Sequence, residues 1–141
     1  MPDMNDWNRQ VIEAFRANGG KVGGMWEGRP LLLLTTTGAK SGQRRTSPVM
    51  YLRDGERLLV FASKGGAPTS PDWYHNLLAH PEVTVEVGGE TYDAIATQLT
   101  GEERDRLFAQ WAQMYPQFGE YQKNTTRKIP VIALERRKGQ R

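Results

Sequence analysis

Two turn signals, Asp54-Gly55 and Gly88-Gly89, each stand between runs that read as strands, and this pairing constrains the fold more than any other feature of the chain. A period of two buries one face of a strand, and Asp-Gly or Gly-Gly supplies the positive φ that a tight hairpin turn demands. Val83, Val85 and Val87 alternate with Glu82, Thr84 and Glu86, and the chain returns through Tyr92, Ala94 and Ala96. Residues 46–53 and 57–62 flank the other turn, a strand is expected over 31–37 ahead of them, and 129–134 reads as the last one. Six strands arranged largely as hairpins predict an α+β chain built on an antiparallel barrel.

Helices are expected around that barrel. Trp7, Val11, Ile12 and Phe15 fall at helical spacing over 6–18, and Asn18-Gly19-Gly20 supplies a stop, after which 19–28 reads as a link. A short helix is expected over 71–79, with Thr69 or Ser70 as cap, Pro71 at the first helical position and Pro81 past its exit. Thr100 and Glu103 have the form of a capping box, and Leu107, Phe108, Trp111 and Met114 recur on one face up to a stop at Pro116. The 141 residues, 38% of them hydrophobic, fit one compact core. The expected division is an N-terminal helix and linker over 1–23, a barrel over 24–136 and a basic tail over 137–141.

The absence of cysteine excludes disulfides, thiolate nucleophiles and Cys-type metal sites. No apolar run approaches the roughly 18–20 residues of a membrane span, and the polar start with Asp3 and Asp6 does not read as a signal peptide. A cytoplasmic protein is expected, with any membrane association peripheral. A pI near 9.3 favours a polyanionic partner. The charge is also clustered. Between Gly38 and Lys64 six Lys and Arg face only Asp54 and Glu56, a local +4 in a chain whose net charge is +3.

Four of those cations, Lys40, Arg44, Arg45 and Lys64, sit on two small glycine-bearing loops, 38–48 and 62–66. Gly38-Ala39-Lys40-Ser41 has the look of a nucleotide P-loop, yet no glycine directly precedes Lys40 and the loop runs into Pro48 and a strand rather than a helix, so a P-loop is rejected. Small residues would let the backbone approach a ligand while Lys40, Arg44 and Arg45 supply charge; a solvated basic turn is the alternative. A hairpin centred on Asp54-Gly55 would place Ser63 and Lys64 opposite residues 45–46 and bring the two loops together, which favours an anion site.

Trp73, Tyr74, His75 and Asn76 offer stacking and hydrogen-bonding groups beside these loops, although Trp73 and Leu77 at i, i+4 also suit a core. Tyr115, Phe118 and Tyr121 are spaced by three around Pro116 and fit either packing or one wall of an apolar pocket. His75 and His80 are the two histidines, too few for a catalytic zinc site, and no metal is expected. No Ser-His-Asp set or paired carboxylates stand out, so any enzymatic chemistry would come from a bound cofactor.

The segments 32–43, 51–55, 62–66, 73–77, 114–116, 121–122 and 127–130, in this order and spacing, resemble the deazaflavin-dependent nitroreductase family, actinobacterial reductases that use coenzyme F420. The resemblance covers about 24–135 and implies a six-stranded split β-barrel, related to FMN-binding barrels, with peripheral helices and the cofactor in a groove. It implies that Lys40, Arg45 and Lys64 hold the phosphate and the acidic tail of F420. Ala39, Ser41, Ser47, Pro48, Val49 and Met50 would surround the cofactor, together with Ala62, Ser63, Trp73, Tyr74 and Asn76. Tyr115, Phe118 and Tyr121 would line the substrate side, with Trp26 folding over the ring.

The implied activity is hydride transfer from reduced F420 (F420H2) to a small-molecule acceptor, an enone-type C=C bond or a quinone, with the hydroxyl of Ser63 or Tyr121 stabilising charge on the acceptor oxygen. The competing class is a non-catalytic F420- or flavin-binding barrel for storage or sensing. Nucleic acid is not an expected partner, because the aromatics are not interleaved with the Lys and Arg clusters. A monomer or a homodimer is expected.

Overall fold

The computed structural model describes residues 4–20, 30–63, 70–125 and 128–137. The order is α1 (Met4–Ala17), β1 (Leu31–Thr37), β2 (Arg44–Asp54), β3 (Arg57–Phe61), α2 (Asp72–Ala79), β4 (Glu82–Val87), β5 (Glu90–Leu99), α3 (Gly101–Met114), α4 (Pro116–Lys123) and β6 (Val131–Arg136). The six strands close into an antiparallel barrel in the order β1-β2-β3-β6-β5-β4, so the fold is the expected α+β barrel. Its shortest seam joins β1 to β4 through Leu33↔Glu86, Leu34↔Val85 and Thr35↔Thr84.

Strand alternation sorts side chains between the barrel interior and its outer face. Leu32, Leu34, Val60, Val83, Val85 and Ile132 point inward as one cluster. The outer face is covered in two places. Val11 and Phe15 of α1 lie on Leu31 and Leu33, whereas Leu107, Phe108 and Trp111 of α3 cover Leu59, Phe61, Val131 and Ala133. Each of these side chains, fully buried, contributes about 1.5–3 kcal/mol, which is why the helices dock on the barrel and do not stand free.

Both predicted hairpins form, and both turns place a glycine at positive φ, Gly55 at 64° and Gly88 at 59°. The first is centred differently from the expectation. Asp54 pairs with Arg57 and Tyr51 with Val60, so the two turn residues are Gly55 and Glu56, and an extended ladder would set Ser63 opposite Pro48 instead of 45–46. The ladder does not extend that far. The first half of β2 pairs with β1, from Leu31↔Met50 to Thr37↔Arg44, and β3 turns to β6.

Four local expectations are corrected. Thr100 is the N-cap of α3, yet its side chain makes no capping bond, and the carboxylate of Glu103 instead accepts a 2.8 Å bond from Arg57 of the hairpin, so the box is unformed. Pro71 is the N-cap of α2, not its first helical residue, and Thr69, one of the two expected caps, lies outside the described residues. Pro116 ends α3 but immediately opens α4, where a proline at the first position loses no intrahelical bond. Met114, expected on the buried face of α3, is 52% exposed at its end.

The junction of α3, α4 and β6 is held by Arg104. Its guanidinium is buried, donates from Nε and Nη2 to the Ile129 carbonyl at 3.1 and 2.7 Å, and donates to Gln122 Oε1 at 3.0 Å. Gln122 Oε1 also accepts the Ile129 N–H at 2.9 Å, so α4 and the entry to β6 share one acceptor. No helix among the described residues is long and apolar enough to cross a membrane.

Candidate functional site

A groove of about 1500 Å³ opens where β1 runs out and β2 begins, with α1 and α2 as its other walls. The floor is the loop 38–43, which is tied to itself. Gly38 N–H donates to the Gln43 carbonyl at 2.8 Å, Gly42 N–H donates to the Gly38 carbonyl at 3.0 Å, and Gln43 N–H donates to Ser41 Oγ at 3.1 Å. A Cβ on Gly38 would press on Ser41 Oγ, so a larger residue there would displace the hydroxyl that holds Gln43. The backbone is therefore set before any ligand arrives.

Asn76 of α2 joins this loop to the barrel. Its Oδ1 accepts the Ala39 N–H at 3.0 Å, and its Nδ2 donates to Thr36 Oγ1 at 3.1 Å. One amide thus fixes the distance between helix, loop and strand end. Arg44 is bound in a comparable way, donating to Thr37 Oγ1 at 3.0 Å and to Thr84 Oγ1 at 2.7 Å, so it staples β2, β1 and β4 while its charge stays uncompensated by those neutral partners. Arg45 makes a long 3.4 Å bond to Gln43 Oε1, and its guanidinium is exposed.

The lining is electropositive. Among the described residues, Arg9, Lys40, Arg44 and Arg45 line it, together with the carboxylate of Asp72. Trp73 and Pro48 add apolar surface, and Ser47, Thr46 and Thr36 add hydroxyls. This chemistry fits an extended ligand that carries several negative charges at one end and a flat or apolar body at the other. The start of α2 lies on the same groove, where the positive end of its helix dipole adds to the field.

Of the residues expected around the cofactor, the groove brings together Ala39, Lys40, Ser41 and Arg45 from the loop and Ser47, Pro48, Trp73 and Asn76 beyond it. Five others lie elsewhere. Val49 belongs to the barrel interior, and Met50 is half-buried beneath α1. Ala62 and Ser63 are buried at the end of β3, where the Ala62 N–H donates to the Pro130 carbonyl at 3.0 Å. Tyr74 packs on the barrel core and donates from its hydroxyl to Gln98 Oε1 at 3.1 Å. Lys64, the following Gly65-Gly66 pair and Trp26 lie outside the described residues.

Tyr115, Phe118 and Tyr121 do not line this groove. They continue an aromatic stack on the outer face: Phe61 lies 4.5 Å from Trp111 at an interplanar angle of 9°, Phe118 stands edge-on to Trp111 at 5.1 Å, and Tyr121 edge-on to Phe118 at 5.3 Å. Phe118 is 9% exposed and acts as packing, whereas Tyr115 and Tyr121 are half-buried.

Arg9 and Ile12 are groove residues that the sequence reading missed. The i, i+3 spacing put both on one face of the first helix, but which wall that face meets is a tertiary fact. Arg16, on the same face, pairs with Glu86, and those hydrogen bonds raise its pKa and hold it charged.

A profile of the F420H(2)-dependent quinone reductase family matches residues 7–136. An F420H(2)-dependent quinone reductase of Mycobacterium tuberculosis is 41% identical over 129 residues, 87% of this chain and 85% of its own length. Among solved structures, an F420-H2 dependent reductase (FDR-A) superposes with a TM-score of 0.69 at 44% identity, covering 76% of this chain and 95% of that one. A structure described as a domain-swapped dimer gives a TM-score of 0.72 at 40% identity, covering 94% and 100%.

Proposed function

The chain belongs to the F420H(2)-dependent quinone reductase family and is an F420H2-dependent oxidoreductase, and from that premise we propose that its basic groove holds the cofactor and presents it to a quinone or enone-type acceptor. The observation that carries this reading is the cluster of Lys40, Arg44 and Arg45 on a preformed loop and the start of the strand that follows it. Lys40 and Arg45 bind the phosphate and the acidic tail, joined by Lys64 from the second loop, each charged hydrogen bond contributing about 1.5–3 kcal/mol where water is excluded. Ser47, Pro48 and Trp73 orient the body of the cofactor.

When bound, reduced F420 supplies the hydride. The chain's own residues then orient the acceptor and stabilise the charge that develops on its oxygen, which becomes a hydroxyl on taking a proton. The hydroxyls of Ser63 and Tyr121 are the proposed donors to that oxygen, with Tyr115 and Phe118 shaping the wall beside it and Trp26 covering the ring. Polarisation of this kind acts mainly in the transition state, so it bears on turnover more than on affinity. The domain-swapped relative supports a homodimer here, and a cytoplasmic enzyme is part of the same proposal.

The deciding experiment is anaerobic oxidation of F420H2 by menadione with and without the protein. Saturable, protein-dependent loss of F420H2 is expected. Tight binding of F420 without turnover would assign the chain to storage or sensing instead.

A further inference from the structure

Little in the sequence of α4 holds that helix together. Its eight residues fall short of the roughly 12–15 that a helix needs to persist alone in water. Gly119 stands in its middle, where glycine costs about 0.5–1 kcal/mol against alanine, and the side chain of its N-cap, Tyr115, makes no capping bond. The position of α4 therefore comes from what it packs on, and two side chains one turn apart provide that. Phe118, 9% exposed, stands edge-on to Trp111 at 5.1 Å. Gln122 sets its Oε1 between two donors, Arg104 Nη2 at 3.0 Å and the Ile129 N–H at 2.9 Å. Residues 118, 121 and 122 share one helical face, so these two anchors together fix the rotation that aims Tyr121.

Arg104 makes the second anchor rigid. Its side chain is 8% exposed, and the guanidinium lies 4.5 Å over the Phe108 ring. Beyond its bonds to Gln122 and the Ile129 carbonyl, Nη1 donates to Asp105 at 3.2 Å, and Asp105 pairs in turn with Lys128 at 3.0 Å. A buried charge held largely by neutral oxygens adds little net stability over an apolar side chain of similar volume, because desolvation offsets its bonds. Its planar fork of donors supplies direction instead. We infer that Arg104 and Gln122 are positioning residues for acceptor reduction: they lock the rotation of α4 on α3 and so hold the Tyr121 hydroxyl toward the acceptor oxygen. The inference rests on the reading that Tyr121 donates to that oxygen.

The test is a double-mutant cycle read as kcat for menadione reduction at saturating F420H2, with F420 affinity and Tm measured on every protein. The proteins are the parent, Gln122→Leu, Gln122→Glu, Tyr121→Phe and the pair Gln122→Leu with Tyr121→Phe. Gln122→Leu removes the shared acceptor and should lower kcat about tenfold with F420 affinity unchanged, since misplacing a group by about 1 Å can cost up to about a hundredfold. Gln122→Glu keeps an acceptor for both donors and should hold kcat within about twofold of the parent. In the Tyr121→Phe background Gln122→Leu should have no further effect, because the group it positions is gone. Should Gln122→Leu fail to fold, Arg104→Lys replaces it in the same cycle, keeping the charge and losing the fork. An unchanged kcat in Gln122→Leu, or the same loss with and without the Tyr121 hydroxyl, overturns the inference and leaves the role of Tyr121 standing. If Tyr121→Phe alone leaves kcat unchanged, the reading of Tyr121 falls and the inference falls with it.

Discussion

Asn76 shows how much of a binding loop's geometry one amide can carry. Its Oδ1 and Nδ2 face an N–H of the loop and a hydroxyl of β1, so removing the side chain strands the Ala39 N–H and the Thr36 hydroxyl together. Thr36 is 1% exposed, and an unsatisfied polar group at such a site costs about 1–3 kcal/mol. Asn76→Ala is therefore expected to lower stability by about that amount in a denaturant titration and to weaken F420 binding as the loop loosens. Asn76→Asp keeps the acceptor for Ala39 but adds a negative charge beside Lys40 and Arg45, so it should weaken F420 further than its loss of stability accounts for. Equal F420 affinity in both variants and the parent would show that the loop holds its shape without this pin. The basic residues divide at the same scale. Arg57 is engaged by Asp54 and Glu103, and Arg44 by two threonines, whereas Lys40 and Arg45 keep their charge toward the groove. Composition showed the clustering but not this division, because each arginine's partner lies on another strand or helix.

At the scale of elements, α4 is the segment the sequence concealed. Pro116 reads as a stop, yet proline suits the first position of a helix, and only the conformation of residues 117–123 separates the two meanings. The result is that Phe118 and Tyr121 come from a helix packed on α3 and not from a loop draped over the barrel. If Tyr121 contributes its hydroxyl to the acceptor, Tyr121→Phe should leave F420 affinity unchanged and slow menadione reduction about tenfold or more, since loss of a transition-state donor lowers turnover. The ring stack with Phe118 survives that substitution, so a slower enzyme could not be blamed on lost packing. Unchanged steady-state rates at saturating F420H2 would return Tyr121 to the aromatic core and leave Ser63 as the proposed donor. The hairpins were legible for the opposite reason: strand alternation and turn glycines are local signals, and both turns lie where Gly55 and Gly88 demand them.

At the scale of the whole molecule, barrel closure is what assembles the site. The β1–β4 seam brings Thr84 within reach of Arg44, α2 crosses from β3 to β4 and lays Asn76 on the loop, and α1 closes the groove from outside. None of these contacts joins sequence neighbours, so the loop cations and Trp73 could be named from the chain while Arg9 and Ile12 could not. The family resemblance supplied the cofactor; the barrel supplies the basic groove in which it is proposed to lie. The most direct measurement of that claim is a side-by-side titration of the purified protein with F420 and FMN across a range of salt concentrations. F420 is expected to bind more tightly, with an affinity that falls as salt rises, because exposed charges are screened over about 8 Å at physiological ionic strength. Equal affinity for the two cofactors, or an F420 affinity indifferent to salt, would contradict the account.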